Sequence, residues 1–151
     1  MKTGYRLASI ILGAALVAVA CTQNAGTERQ HFKLPAMAEL NLPFSDAVLV
    51  GDTLYLSGNG GLDLSTMTAP EDPKEEAKLL MENFRTTLAL ADMTLDNLVS
   101  VTIYCPDLSL YGDFNEVYRS YFDGDFPARA FIGSGPLLFG MRFEMQAIAV
   151  R

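Results

Sequence analysis

The chain has 151 residues, half of them apolar, with 18 acidic side chains against 11 basic ones and a net charge of −7. That length supports one domain with a real core, not two, and the acidic balance argues against nucleic acid as a partner. A lone histidine, His31, and two cysteines, Cys21 and Cys105, make no zinc-ligand cluster, so no metal site is expected.

The first segment, MKTGYRLASIILGAALVAVAC, has the parts of a secretory signal: Lys2 and Arg6, then an apolar run from Ala8 to Ala20, then small residues. The run is short for a bilayer span. Its end, AVAC, resembles the lipobox of bacterial lipoproteins, which implies that Cys21 carries lipid and becomes the mature N-terminus. The alternative is an ordinary signal cut near Ala20 that leaves Cys21 a free thiol. Loss of residues 1–20 removes two basic and no acidic residues, so −7 becomes −9. Residues 21–40 are polar and irregular and read as a lipidated N-terminus and tether with a loosely attached arm, ahead of a domain over 41–151.

That domain opens with β-type runs at Ala47–Val50 and Leu54–Ser57 separated by Gly51-Asp52, a hairpin pattern. The glycines of SGNGG read as a strand-ending turn, since no Gly-Lys-Ser/Thr follows them. The spacing predicts a helix over 73–92, with Pro73 in its first turn and Glu75 and Glu76 at its N-terminal end. Its inward stripe is Ala77, Leu80, Met81, Phe84, Leu88 and Ala91. NLVSVTIYC alternates Val99, Val101, Ile103 and Cys105 on one strand face, which makes Cys105 a buried, inert thiol. A second helix fits 109–122 with Phe114, Val117, Tyr118 and Tyr121 inward, and a strand follows at 129–133. The last strand turns Phe143, Met145, Ala147 and Ala149 to one side and Arg142, Glu144 and Gln146 to the other. The order β-β-α-β-α-β-β is an α+β layer, two helices on one face of a sheet, whose bare face invites oligomerisation.

The stretch GDFPARAFIG places Arg129 inside an apolar run, where a permanent cation needs a partner. Glu144 is expected on a neighbouring strand across the GSGPLLFG loop. The two side chains either form a plain salt bridge or face a pocket in which Arg129 holds a carboxylate and Glu144 handles a water.

The segments LYLSGNGG, NEVYRSYF, DFPARA and FEMQAIAVR resemble the RidA/YjgF family over about residues 43–151. The resemblance implies a chorismate-mutase-like fold with a mixed sheet, a homotrimer with sites between subunits, and hydrolysis of enamines and imines to 2-keto acids and ammonia without metal or organic cofactor. It assigns the carboxylate anchor to Arg129 and the water-orienting acid to Glu144, and it places Ser57, Asn115, Phe44 and Phe131 around the substrate. Ser57 reads equally as a strand-end cap and Asn115 as an ordinary solvated helix residue. Phe44 stands where active members often carry tyrosine, Asn59 replaces the usual glutamine, Phe131 replaces a frequent cysteine and Leu138 a proline. These departures bear on the substrate more than on the chemistry.

The expected reaction is hydrolysis of 2-imino acids by an envelope-anchored enzyme, on the periplasmic face of the outer membrane in a Gram-negative host. Two alternatives stand beside it: a non-catalytic trimer that binds small carboxylate metabolites, and a structural trimer with a vestigial pocket.

Overall fold

The structure, a computed structural model, describes residues 28–151; the signal-like segment and Cys21 lie outside these residues. Six strands form one mixed sheet: β1 (Arg29–Phe32), β2 (Ala47–Val50), β3 (Thr53–Gly60), β4 (Leu98–Cys105), β5 (Ala128–Gly133) and β6 (Glu144–Val150). Helix α1 (Pro35–Ala38) is a single turn, whereas α2 (Pro73–Ala89) and α3 (Tyr111–Arg119) cover one face. The sheet order is β1-β2-β3-β6-β4-β5, and only the β4–β5 pair is parallel. The expected α+β layer is present, with one more strand at its edge.

Local chemistry accounts for the elements. Asp72 caps α2 by accepting from the Lys74 amide at 2.7 Å, and Pro73 supplies the first helical residue. The predicted stripe of α2 is buried throughout: Ala77, Leu80, Met81, Phe84 and Leu88 lie against the sheet. Phe114, Val117 and Tyr118 do the same from α3, and Phe143, just before β6, joins Met145, Ala147 and Ala149 of β6 in the same buried core. Tyr121, half-buried, packs at the margin. Cys105 is fully buried, and that burial pushes its thiol pKa up, as expected of an inert core thiol.

Five features depart from the sequence expectations. Residues 29–32 are not tether: β1 pairs antiparallel with β2 in the register His31 to Val48, and the His31 ring bonds Ser45 Oγ at 3.0 Å. Short polar strands carry no periodic signal; this one is held by backbone pairing and by buried Leu34, whose amide donates to Asp46 Oδ2 at 2.8 Å. The glycines of SGNGG do not end β3, because Ser57 to Gly60 lie within it, across a register shift between Leu56 and Asn59. A Cβ at Gly58 would overlap the Glu144 carboxylate, and one at Gly60 would overlap Met141 Sδ.

The third departure is at β4. A register shift between Leu98 and Ser100 turns Val99 outward, while Leu98 is buried in its place. Glu76, the fourth, does not decorate a solvated helix end. It is wholly buried; one carboxylate oxygen accepts from the Arg142 and Phe143 amides at 2.6 and 3.0 Å, and the other meets Arg142 Nη1 at 2.8 Å. Arg142 accordingly precedes β6 and does not share the Glu144 face.

The fifth concerns the two candidate catalytic residues. After β5 the chain does not return to the neighbouring position; β6 inserts between β3 and β4, and β4 separates it from β5. Arg129 pairs with Val101 and Glu144 with Tyr104, so their Cα atoms stand about 14 Å apart by strand spacing and rise. They also lie on opposite faces. Arg129 shares the helix-covered face with buried Val101, whereas Glu144, next to buried Met145, shares the bare face. No intrachain salt bridge joins them.

Candidate functional site

The six candidate residues fall into two groups. The first is built where β5 passes α3. Arg129 Nη2 donates to Asn115 Oδ1 at 2.6 Å, and the guanidinium sits 4.7 Å above the Tyr118 ring. Tyr111 and Phe131 stand farther out, with ring centroids 5.9 and 6.0 Å from the Arg129 carbon. Residues 111, 115 and 118 fall at helical spacing, so one face of α3 supplies both the amide and two of the rings. Asn115 is therefore the orienting partner of Arg129 and not merely a solvated helix residue.

Aromatic faces accept the cation without neutralising it. Among the described residues no carboxylate forms an ion pair with Arg129. The guanidinium thus remains available to an anion at a small cleft of ≈ 170 Å³ shared with Arg119, Phe126 and Pro127. Its field is felt nearby: the Tyr111 phenol is held below its ordinary pKa, first by its hydrogen bond with Asn115 and then by the positive charge of Arg129. Phe131 packs edge-on against Tyr111 and Phe114, so it shapes the wall beside the guanidinium without a polar contribution.

The second group lies across the sheet, at a cavity of ≈ 630 Å³ that contains Phe44, Ser57 and Glu144 in its wall. Glu144 is half-buried at the first position of β6, opposite Gly60, and Gly58 passes directly beneath its carboxylate. The missing Cβ at Gly58 is what gives that carboxylate its place. Ser57 Oγ donates to the Asp46 carbonyl at 3.1 Å, which makes it both a backbone clasp and a lining group. Asn59 and Leu138, the other positions that differ from the expected pattern, line the same cavity. Phe44 is 47% exposed at its mouth.

The geometry therefore brings Arg129, Asn115 and Phe131 together, and separately Phe44, Ser57 and Glu144. It does not bring the two sets together within one chain. Sequence reasoning missed Glu76 and Arg142, which fix the backbone immediately before Glu144. An acidic residue in the first turn of a helix carries an ordinary explanation, so only the adjacent apolar stripe hinted at its burial. It also missed Tyr118, whose buried hydroxyl has no partner among the described residues.

A mixed, one-sidedly covered sheet with a carboxylate group on its bare face and a guanidinium beneath its helices defines an α+β protein of the chorismate-mutase-like kind. A family profile described as Endoribonuclease L-PSP matches residues 36–151. Over 110 residues the chain is 40% identical to a 2-iminobutanoate/2-iminopropanoate deaminase of Mus musculus, covering 72% of this chain and 82% of that one. The crystal structure of RidA from the Antarctic bacterium Psychrobacter sp. is similar with a TM-score of 0.70 and 32% identity, covering 74% of this chain and 90% of that one. Escherichia coli TdcF, solved with bound serine, gives a TM-score of 0.70 at 27% identity over 73% of this chain and 89% of its own. The chain belongs to the Endoribonuclease L-PSP family, which is the RidA/YjgF family.

Proposed function

We propose that the protein hydrolyses 2-imino acids and their enamine tautomers to 2-keto acids and ammonia, at sites assembled between copies of the chain in a homotrimer. The observation that carries this is the division of the candidate residues into two half-sites on opposite faces of one sheet. An unneutralised guanidinium suits a carboxylate, a half-buried glutamate suits a water, and a substrate needs both within reach. The bare sheet face, which exposes Tyr55 and Ile132, is the surface through which copies would associate. The curated relatives with the deaminase name, at up to 40% identity, support the same chemistry.

In this reaction Arg129 of one copy pairs with the substrate carboxylate and fixes the imine carbon over Glu144 of the next. Glu144 draws a proton from water as the water oxygen bonds to the imine carbon, and the nitrogen takes up a proton. The carbinolamine hydroxyl then gives up its proton while the departing nitrogen takes one up, with Glu144 as the relay; the C–N bond breaks, and ammonia leaves with the keto acid. Each atom is supplied by substrate and water, so the chemistry requires no metal or organic cofactor. Positioning and proton transfer are the catalytic devices.

The test is the decay of 2-iminopropanoate, generated in solution, with and without the purified protein. Faster release of pyruvate and ammonia is expected, and an unchanged imine lifetime at micromolar protein would refute the assignment. Serine held by the related TdcF favours a second possibility, a binder of small carboxylates; a thermal shift with 2-keto acids and no turnover would single it out.

We also place the protein in the cell envelope, anchored by lipid on Cys21, as the AVAC motif suggests. Because β1 begins at Arg29, the chain between Cys21 and the sheet is short, with a reach of at most about 29 Å. Mass spectrometry of the mature N-terminus should find a diacylglyceryl adduct on Cys21. A Cys21→Ser variant should leave the membrane fraction.

A further inference from the structure

Building on the imine-hydrolase assignment, we infer that the preferred substrates carry long apolar or aromatic side chains, received by the cavity beside Glu144. A three-carbon imino acid has six heavy atoms, so even at a whole water's ~30 Å³ for each it fills less than ~180 Å³. The cavity is ≈ 630 Å³, a size usual for ligands with several carbons more. Its polar side chains are few: Ser57 and Asn59 on β3, Glu144 on β6, and Asp46 just before β2, whose carboxylate already accepts from the Leu34 amide.

The remaining wall is almost wholly hydrocarbon. Leu34, Met37 and Leu40 come from the N-terminal arm, Leu62 and Met67 from the loop after β3, and Met141 from the segment before β6. The mouth is ringed by exposed apolar groups: Leu40 at 50%, Phe44 at 47%, Leu138 at 71% and Phe139 at 59% exposure. Phe139 holds a positive φ of 57°, and Gly140 follows at 68°. That turn directs the chain around the rim, although aromatic residues seldom adopt this backbone region. Phe44 supplies no hydroxyl to a small polar substrate, while its ring adds apolar surface at the entrance. A carboxylate anchored by Arg129 of another copy, with its imine carbon at Glu144, leaves the side chain to extend into this hydrocarbon space.

Calorimetry with pyruvate, 2-oxobutanoate, 4-methyl-2-oxopentanoate and phenylpyruvate tests the inference, run beside hydrolysis of the matching imines. Burial of apolar surface is worth about fourfold in affinity per methylene. The branched and aromatic acids should therefore bind at least ~10-fold more tightly than pyruvate. Met37→Trp, on the one-turn helix outside the core, should reduce the phenylpyruvate-to-pyruvate affinity ratio several-fold by filling the cavity. Met67→Ala, which enlarges it, should shift preference further toward the larger acids.

A flat or falling affinity across the series, as expected if side chains of another copy fill the cavity, overturns the inference even where small imines are hydrolysed. In that case the hydrolase assignment survives. A preference for long chains without any turnover supports the ligand class and overturns the hydrolase assignment instead.

Discussion

Arg129 shows how one side chain can be held rigidly and still left chemically free. Asn115 fixes its orientation through a neutral acceptor and Tyr118 supports it from below, so its charge is not spent within the chain. Arg129→Ala should lower kcat/KM for imine hydrolysis on the order of 100-fold, and Arg129→Lys should recover little, because an ammonium lacks the planar fork. Glu144→Gln should lower kcat by ~10²-fold or more while sparing 2-keto acid affinity, which steady-state kinetics and calorimetry separate. Gly58→Ala pushes the Glu144 carboxylate aside and should cost roughly tenfold in kcat by misplacing the acid. Tyr118 offers a pH test. Burial raises its phenol from the ordinary 10.0 to about 12, so the folded state disfavours the phenolate. Its contribution to stability is complete below pH 10 and is lost as pH rises through 12. Tyr118→Phe should flatten that alkaline loss in denaturant titrations. At neutral pH it should be neutral or stabilising by about 1 kcal/mol, since it removes a buried hydroxyl without a partner among the described residues.

Among the elements, the contact of α2 with the start of β6 has the greatest bearing on the site. Glu76 satisfies two backbone amides and one guanidinium from a fully buried position. Glu76→Ala would strand all three and should destabilise the fold by about 3–5 kcal/mol. Arg142→Ala leaves the carboxylate with its two amide donors and should cost less, about 1–3 kcal/mol. Denaturant unfolding of both singles and the double variant measures their coupling. The helices and most strands were legible because periodicity reports burial: the stripes of α2 and α3 and the inward set of β6 lie where their spacing puts them. Periodicity carries no information on strand order, so the insertion of β6 between β3 and β4 was not legible, nor was the separation of Arg129 from Glu144. Glycine and acid residues misled for a related reason. Gly58, Gly60 and Glu76 are chosen by what approaches them in space, and local sequence offers each a commoner explanation. β1 was hidden because a four-residue edge strand needs only backbone partners.

For the molecule as a whole, the two half-sites make a prediction that no single-chain site would share. Arg129→Ala and Glu144→Gln proteins, each strongly impaired alone, should regain activity when unfolded together and reassembled. Random mixing in a ring leaves about a quarter of the interfaces with an intact Arg129 facing an intact Glu144. Recovery near that fraction supports a shared site, and no recovery from well-formed mixed oligomers argues for a site within one copy. Sedimentation should show a trimer, and an Ile148→Asp charge on the bare face of β6 should reduce it to monomers that lack activity.

The place of β6 has a further effect, on the order of events as the chain matures. It is the last strand in chain order, yet it joins β1-β2-β3 to β4-β5. Neither half has a complete sheet before residues 144–150 arrive, and the pairing with β3 closes a loop of more than eighty residues. Such long-range closure is slow compared with local helix formation. The nascent chain should therefore stay open and protease-sensitive until its final strand emerges. Pulse proteolysis of ribosome-bound chains, carried on a linker that places residues 144–150 either inside or outside the exit tunnel, should show protection only when β6 is outside. That delay leaves the five earlier strands without their common partner until β6 is made.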